Sequence, residues 1–182
     1  MNSLTKISIG YSLTDHPQQI NDFTNGIPKG IEVNSYLQER YFSIDGQFFH
    51  LIITFVNAFS EGMVSGLGEV VFTDLVKRVT KLVKGHVAVY DNIDGKNANF
   101  KIRLVNKNGG ENIFEAENVN RATVDRALNE FFKIASTGQQ PADNKVIYLF
   151  DEITQTWLSN NADEIREYIT QQQKEAHNRI RN

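Results

Sequence analysis

From Phe48 to Asp91 the spacing of apolar residues changes twice, and each change marks an element. Phe48 to Val56 is apolar almost without interruption, as expected of an inner strand covered on both faces. Val64, Leu67, Val71, Leu75, Val79 and Leu82 then recur at intervals of three and four, which predicts an apolar stripe along a helix over 63–84. Val70, Phe72, Val76 and Val83 widen that stripe, so the helix should have neighbours on more than one side. Gly85 after Lys84 reads as the helix stop, and residues 86–91 read as the next strand.

The same reading covers the rest of the chain. Ile7, Ile9, Tyr11 and Leu13 alternate with polar residues, predicting a strand over 4–13 that His16-Pro17 interrupts. Residues 17–30 hold Gly26, Pro28 and Gly30 and read as a loop. Alternation resumes over 31–44, and Asp45-Gly46 is a hairpin turn that would join this strand to 47–56. Asn92 to Gly95 and Asn108-Gly109-Gly110 read as turns of an antiparallel meander, with strands at 98–106 and 111–117. A second helix is predicted over 121–136, capped by Asn120 or Thr123, with Val124, Leu128, Phe131 and Ala135 on its buried side. Residues 137–144 are a linker. Lys145 to Phe150 reads as a strand that either joins the sheet edge or pairs with a partner, and Asp163 to Ala176 as a thinly apolar helix.

These elements predict an α+β fold: a largely antiparallel sheet with two main helices packed on one face and a C-terminal helical tail. The organisation expected is a core domain over 1–138 and an appendage over 139–182 that can belong to the same domain. A length of 182 residues suits that plan.

Composition narrows the class. A hydrophobic fraction of 40% and a charged fraction of 23% are those of a soluble globular protein. The absence of cysteine excludes disulfides and thiolate sites and fits a reducing compartment. The N-terminal residues lack the basic start and apolar core of a signal peptide, and the longest apolar run is too short to span a bilayer. The expectation is a cytoplasmic protein without a transmembrane segment.

Net charge is −3, yet residues 77–107 carry eight basic and two acidic side chains, a local +6. Lys77, Arg78, Lys81, Lys84, Lys101 and Arg103 are the candidate basic interaction face. Four of them crowd the predicted end of the long helix, where positive charge complements the unpaired carbonyls. Asp74 stands three and four residues before Lys77 and Arg78 and can pair with them. With Tyr90 and Phe100 among them, the same cations could meet phosphates and stacked bases. An acidic protein surface would fit the charges as well.

Chemistry is harder to find. Val146 to Glu152 has the outline of a Walker B strand, in which a carboxylate at the strand end holds magnesium and the next one polarises water, but no phosphate-cradling G-x-x-x-x-G-K-[ST] loop accompanies it. Gly66-x-Gly68 lacks the third glycine of a dinucleotide fingerprint. Gly62 and Gly66 suit close helix packing. His16, His50, His86 and His177 do not stand at paired ligand spacing, and His50 reads as a hydrogen-bonded core histidine. No serine occupies a G-x-S-x-G elbow. No catalytic, cofactor or metal residue is assigned, and no cofactor is expected.

Residues 51–136 together read as an apolar strand, a helix rich in small residues ending in Lys77-Arg78…Lys81, the strand His86 to Tyr90, an Asp94-Gly95 turn, an alternating strand and a closing helix from Val124 to Phe132. That order resembles the small effector-associated components of bacterial conflict (defence) systems. The resemblance implies a non-catalytic companion of a defence effector and lends no site residues. The sequence therefore favours a non-enzymatic interaction or regulatory subunit with a protein partner, homo-oligomers being a further option. Nucleic-acid binding through 77–107 is the alternative, and a small enzyme whose site forms only in three dimensions is a further one. Membrane association through 63–84 would require its apolar stripe to be exposed.

Overall fold

The alternation of Ile7, Ile9 and Tyr11 with polar residues forms the first strand of the computed structural model, β1 (Thr5–Tyr11). The structure describes residues 5–12, 17–27, 30–37, 49–57, 69–92, 98–106, 109–136 and 145–160. The Asp45-Gly46 and Asn92 to Gly95 turns, the Gly62/Gly66 pair, Val64 and Leu67, the linker and the helix expected over 163–176 lie wholly or largely outside them.

After β1 comes α1 (Pro17–Asn25), where a loop was expected. Proline is well placed in the first turn of a helix, where its missing N–H has no partner to lose. Ile20 and Phe23, one turn apart, are buried in the core. Then follow β2 (Ile31–Leu37), β3 (Leu51–Val56), α2 (Glu69–Asn92), β4 (Ala98–Val105), β5 (Glu111–Val119), α3 (Val124–Ser136), β6 (Lys145–Asp151) and β7 (Thr156–Asn160).

The long helix corrects the sequence reading at its end. α2 passes through Gly85 and takes in His86 to Asp91, which is helix and not strand. Leu82, Val83, His86, Val87 and Tyr90 continue the three- and four-residue spacing and are all buried. Gly85 serves packing instead of termination. A Cβ built there would lie 2.6 Å from Oε1 of Gln19, so the bare backbone makes room for a side chain of α1.

The seven strands form one sheet in the order β2-β1-β3-β4-β5-β6-β7. It is mixed, where a largely antiparallel sheet was expected. β1/β2, β3/β4 and β5/β6 are parallel; β1/β3, β4/β5 and β6/β7 are antiparallel. Each parallel pair is bridged by a helix, as parallel neighbours require. β2 and β3, expected to be the two arms of a hairpin, are not neighbours, because β1 lies between them.

All three helices contribute side chains to a single core with the sheet. The second and third crossovers step the same way across the sheet while their strands run in opposite directions. Edge-on aromatic contact of Phe114 with Phe131, ring centroids 4.8 Å apart, packs α3 against β5.

One row shows how the core is laid out. Ser35, Ile9, Ile53, Ile102, Phe114, Tyr148 and Ser159 stand side by side across all seven strands, apolar in the middle and hydroxylated at both edges. β3 is buried on both faces, as its continuous apolar run predicts. α3 is capped reciprocally: Asn120 Oδ1 accepts the N–H groups of Ala122 and Thr123 at 2.9 and 3.2 Å, and Thr123 Oγ1 accepts that of Asn120 at 3.2 Å. β6 belongs to the sheet, and β7, not foreseen, lies beyond it. Phe150 and Trp157 from this pair are part of the core.

Candidate interaction surfaces

The candidate basic residues fall on two faces of the sheet. Lys77, Arg78, Lys81 and Lys84 lie on α2. Lys101 and Arg103 alternate with Phe100, Ile102 and Leu104, which point into the core beneath α2, so the two cations stand on the opposite face. The sheet separates the two groups.

Five of the six are held by carboxylates. Arg78 Nε meets Asp74 at 2.6 Å, the helical pair expected from their spacing. Lys81 lies 3.6 Å from Asp22 of α1, and Lys84 reaches Asp125 of α3 at 2.8 Å. On the far face Lys101 meets Glu115 at 2.7 Å and Arg103 meets Glu111 at 2.5 Å. The first of these is the most enclosed, with side-chain exposures of 15% and 7%, and the Lys101 ammonium also sits 4.4 Å from the centre of the Phe49 ring. Most of these cations therefore act within the chain, clasping helix to helix or strand to strand.

Between α1 and α2 a cleft of about 170 Å³ is lined by Gln19, Asp22, Phe23, Arg78, Lys81, Leu82 and Gly85. The guanidinium of Arg78 lies over Gly26, where a Cβ would come within 1.9 Å of it. Two glycines thus receive one side chain each from the facing segment, which lets α1 lie close to α2. Asp22 and Asp74 offset the positive charge of the cleft.

A polar cluster that the sequence did not reveal lies at the C-terminal end of α2. The rings of His50 and His86 are 6.3 Å apart, with the Tyr90 ring 4.3 and 4.8 Å from them. The Tyr90 hydroxyl is 2.9 Å from that of Ser12, and His86 Nε2 is 3.4 Å from the Asn99 carbonyl oxygen. These contacts join the end of β1, the entry to β3, α2 and the start of β4. The two histidines are 36 positions apart, and reading 86–91 as a strand hid their meeting. Among the described residues no three histidine or carboxylate side chains gather to hold a metal ion.

Asp151 has a structural task. Its carboxylate accepts the Thr154 hydroxyl at 2.6 Å and the Ile153 N–H at 3.1 Å, closing the β6–β7 turn. The hydroxyl bond, with help from the backbone N–H groups and against desolvation, holds its pKa below the ordinary value. Glu152 is pushed up, first by burial and then by the neighbouring Asp151 charge.

The surface least explained by the fold is the edge at β2. Among the described residues this strand is paired on one side only, to β1. Its positions 34–37 are exposed, and among the described residues Tyr36 and Leu37 are two of the three large apolar side chains most open to solvent. Tyr36 lies over Gly10, whose absent side chain leaves room for the ring. On the same face Lys6 pairs with Glu32 at 2.9 Å, and with Asn34 it draws the Glu32 carboxyl below its ordinary pKa.

Comparison with protein-family models, with curated proteins and with solved structures finds no match. The strand at His86 to Tyr90, one element of the resemblance to defence-system components, is helical. No helix among the described residues is long and apolar enough to cross a membrane.

Proposed function

We propose that the chain is a non-enzymatic interaction or regulatory subunit that engages protein through the edge of β2. The observation that carries this reading is an exposed strand end bearing Tyr36 and Leu37 on a strand that, among the described residues, pairs only with β1. Sheet edges usually carry charge, proline or a covering element that blocks strand addition. Two bulky apolar residues at the exposed end of an edge strand suit recognition instead, with backbone hydrogen bonds giving affinity and alternate side chains giving selectivity. A companion of a bacterial defence effector is one setting in which such a subunit would work, as the resemblance over 51–136 implies.

The ion pairs weigh against the nucleic-acid alternative. Binding to phosphates draws its strength from releasing counterions, and five of the six candidate cations already have carboxylate neighbours. To test the preferred reading, Ser35→Lys and Leu37→Lys would be combined, placing charge along the edge at exposed positions. The doubly substituted chain should keep its circular-dichroism spectrum and melting temperature while losing the proteins that co-purify with the wild type from its native host. Retention of the same proteins in the same ratio would refute the edge as the binding surface.

A further inference from the structure

The β2 edge has a symmetry that names its occupant. The seven residues Ile31-Glu-Val-Asn-Ser-Tyr-Leu37 are centred on Asn34. An antiparallel copy aligned over the whole strand sets residue i against residue 68 − i. Ile31 then faces Leu37, Glu32 faces Tyr36, Val33 faces Ser35, and Asn34 faces itself. The apolar ends cover one another on the core side, and the Tyr36 ring lies across from Glu32. No like charges face each other, because the only charged residue of the strand is off the centre. Directly opposed like charges would oppose pairing.

Registers centred elsewhere do less. Centring on Val33 leaves Tyr36 and Leu37 without partners from the strand, although these two have the most apolar surface to cover. Centring on Ser35 pairs only five of the seven residues. We infer that the edge binds a second copy of this chain, β2 against β2 in antiparallel register about Asn34, making one continuous sheet across a two-fold axis. This deepens the interaction reading above and rests on it. A two-fold pairing of one edge with itself also closes at two chains, whereas pairing β2 with the β7 edge of the next copy would give a larger ring or an open filament.

A single strand pair buries less than the roughly 1,200–2,000 Å² of a standard stable interface, so association should be reversible and concentration-dependent. Residues opposed across an antiparallel pair have Cα atoms about 4.5 or 5.5 Å apart, and both distances lie inside the range of about 4.4–6.8 Å that a disulfide bridges. The chain has no cysteine of its own. One introduced thiol therefore reports on the axis without interference.

The experiment uses the full chain with Asn34→Cys, Glu32→Cys or Tyr36→Cys, each oxidised mildly and run on a non-reducing gel, alongside light scattering of the wild type over a concentration series. All three positions should leave the circular-dichroism spectrum intact. Asn34→Cys should give a disulfide-linked dimer in high yield. Glu32→Cys and Tyr36→Cys should each stay largely monomeric alone and cross-link when mixed. The wild-type mass should rise from one chain to two and stop there. A wild type that remains monomeric throughout, cross-linking equal at all three positions, or masses that pass two chains would overturn the self-pairing. The edge reading itself is judged separately, by whether Ser35→Lys with Leu37→Lys releases co-purifying proteins, so failure of the self-pairing is told apart from failure of the edge.

Discussion

Replacing Trp157 with alanine should cost about 3–5 kcal/mol of stability. Trp157 sits on β7 with 8% of its surface exposed, edge-on to Phe114 and tilted against Phe150, each ring centre 5.3 Å away. A large aromatic side chain buries about 150–250 Å², which at roughly 25 cal/mol per Å² amounts to about 4–6 kcal/mol, of which alanine keeps a small part. The surrounding rings are held by β5 and β6 and are poorly placed to collapse into the space. The indole N–H also donates to the Ala127 carbonyl at 2.8 Å, a bond of about 0.5–1.5 kcal/mol. Trp157→Phe separates the two contributions, keeping most of the ring and losing the bond, at about 1–2 kcal/mol. Since this is the only tryptophan, unfolding in urea should be followed by far-ultraviolet circular dichroism and not by fluorescence. If Trp157→Ala unfolds as cooperatively as the wild type with a loss under about 1 kcal/mol, β7 is not part of the core and the packing argument fails.

Truncation after Gly138 should give an aggregating or unfolded product, because it removes Phe150 and Trp157 from the core and strips β5 of its neighbour; a monodisperse, folded fragment in size-exclusion chromatography would contradict the sheet order. Gly85→Ala should raise stability by about 0.5–1 kcal/mol, since the clash it creates is with the mobile end of Gln19, and a lower melting temperature would show that the amide cannot move. Glu115→Gln should lower stability by about 3–5 kcal/mol by leaving Lys101 enclosed without its counter-charge, whereas an unchanged urea midpoint would mean the pair is effectively solvated. Asp151 has a depressed folded pKa, so its contribution is present above the unfolded value of about 4 and is lost as pH falls through the lower folded one. The melting temperatures of wild type and Asp151→Asn should therefore differ at neutral pH and converge below about pH 4; a gap that persists in acid would remove the carboxylate from the account.

Elements with many periodic positions were legible in the sequence, and those defined by distant partners were not. α3 shows its stripe at Val124, Leu128, Phe131 and Ala135 and its cap at Asn120 and Thr123, and all of these act locally. β3 and β4 declare themselves by apolar run and alternation. α1 was readable in principle from Pro17 with Ile20 and Phe23, but Gly26, Pro28 and Gly30 just beyond it suggested a loop throughout. Gly85 misled for a different reason: a glycine that ends a helix and one that admits a neighbouring side chain look alike until the neighbour is known. Strand direction was out of reach because a turn-rich spacing suits hairpins, while the β1/β2 and β3/β4 pairings depend on crossovers whose partners are far apart in sequence. The candidate basic residues stand out in the sequence as a charge excess. Their division between two faces follows only from knowing that α2 covers the side of β4 that carries Phe100 and Ile102.

The strand order has a consequence for how the chain is made. From β3 onward each strand joins the same growing side of the sheet in the order in which a ribosome delivers it, while β2 closes the other side at once. About 120 residues separate Leu37 from Asn160, an interval of about 6–25 s at about 5–20 residues per second. During that interval the emerged chain already carries both strands of the edge inferred to recruit a second copy. Two nascent chains on neighbouring ribosomes of one message therefore carry the β2 segment well before either can complete a stable sheet, and the pairing inferred above is expected only once β6 and β7 have been delivered.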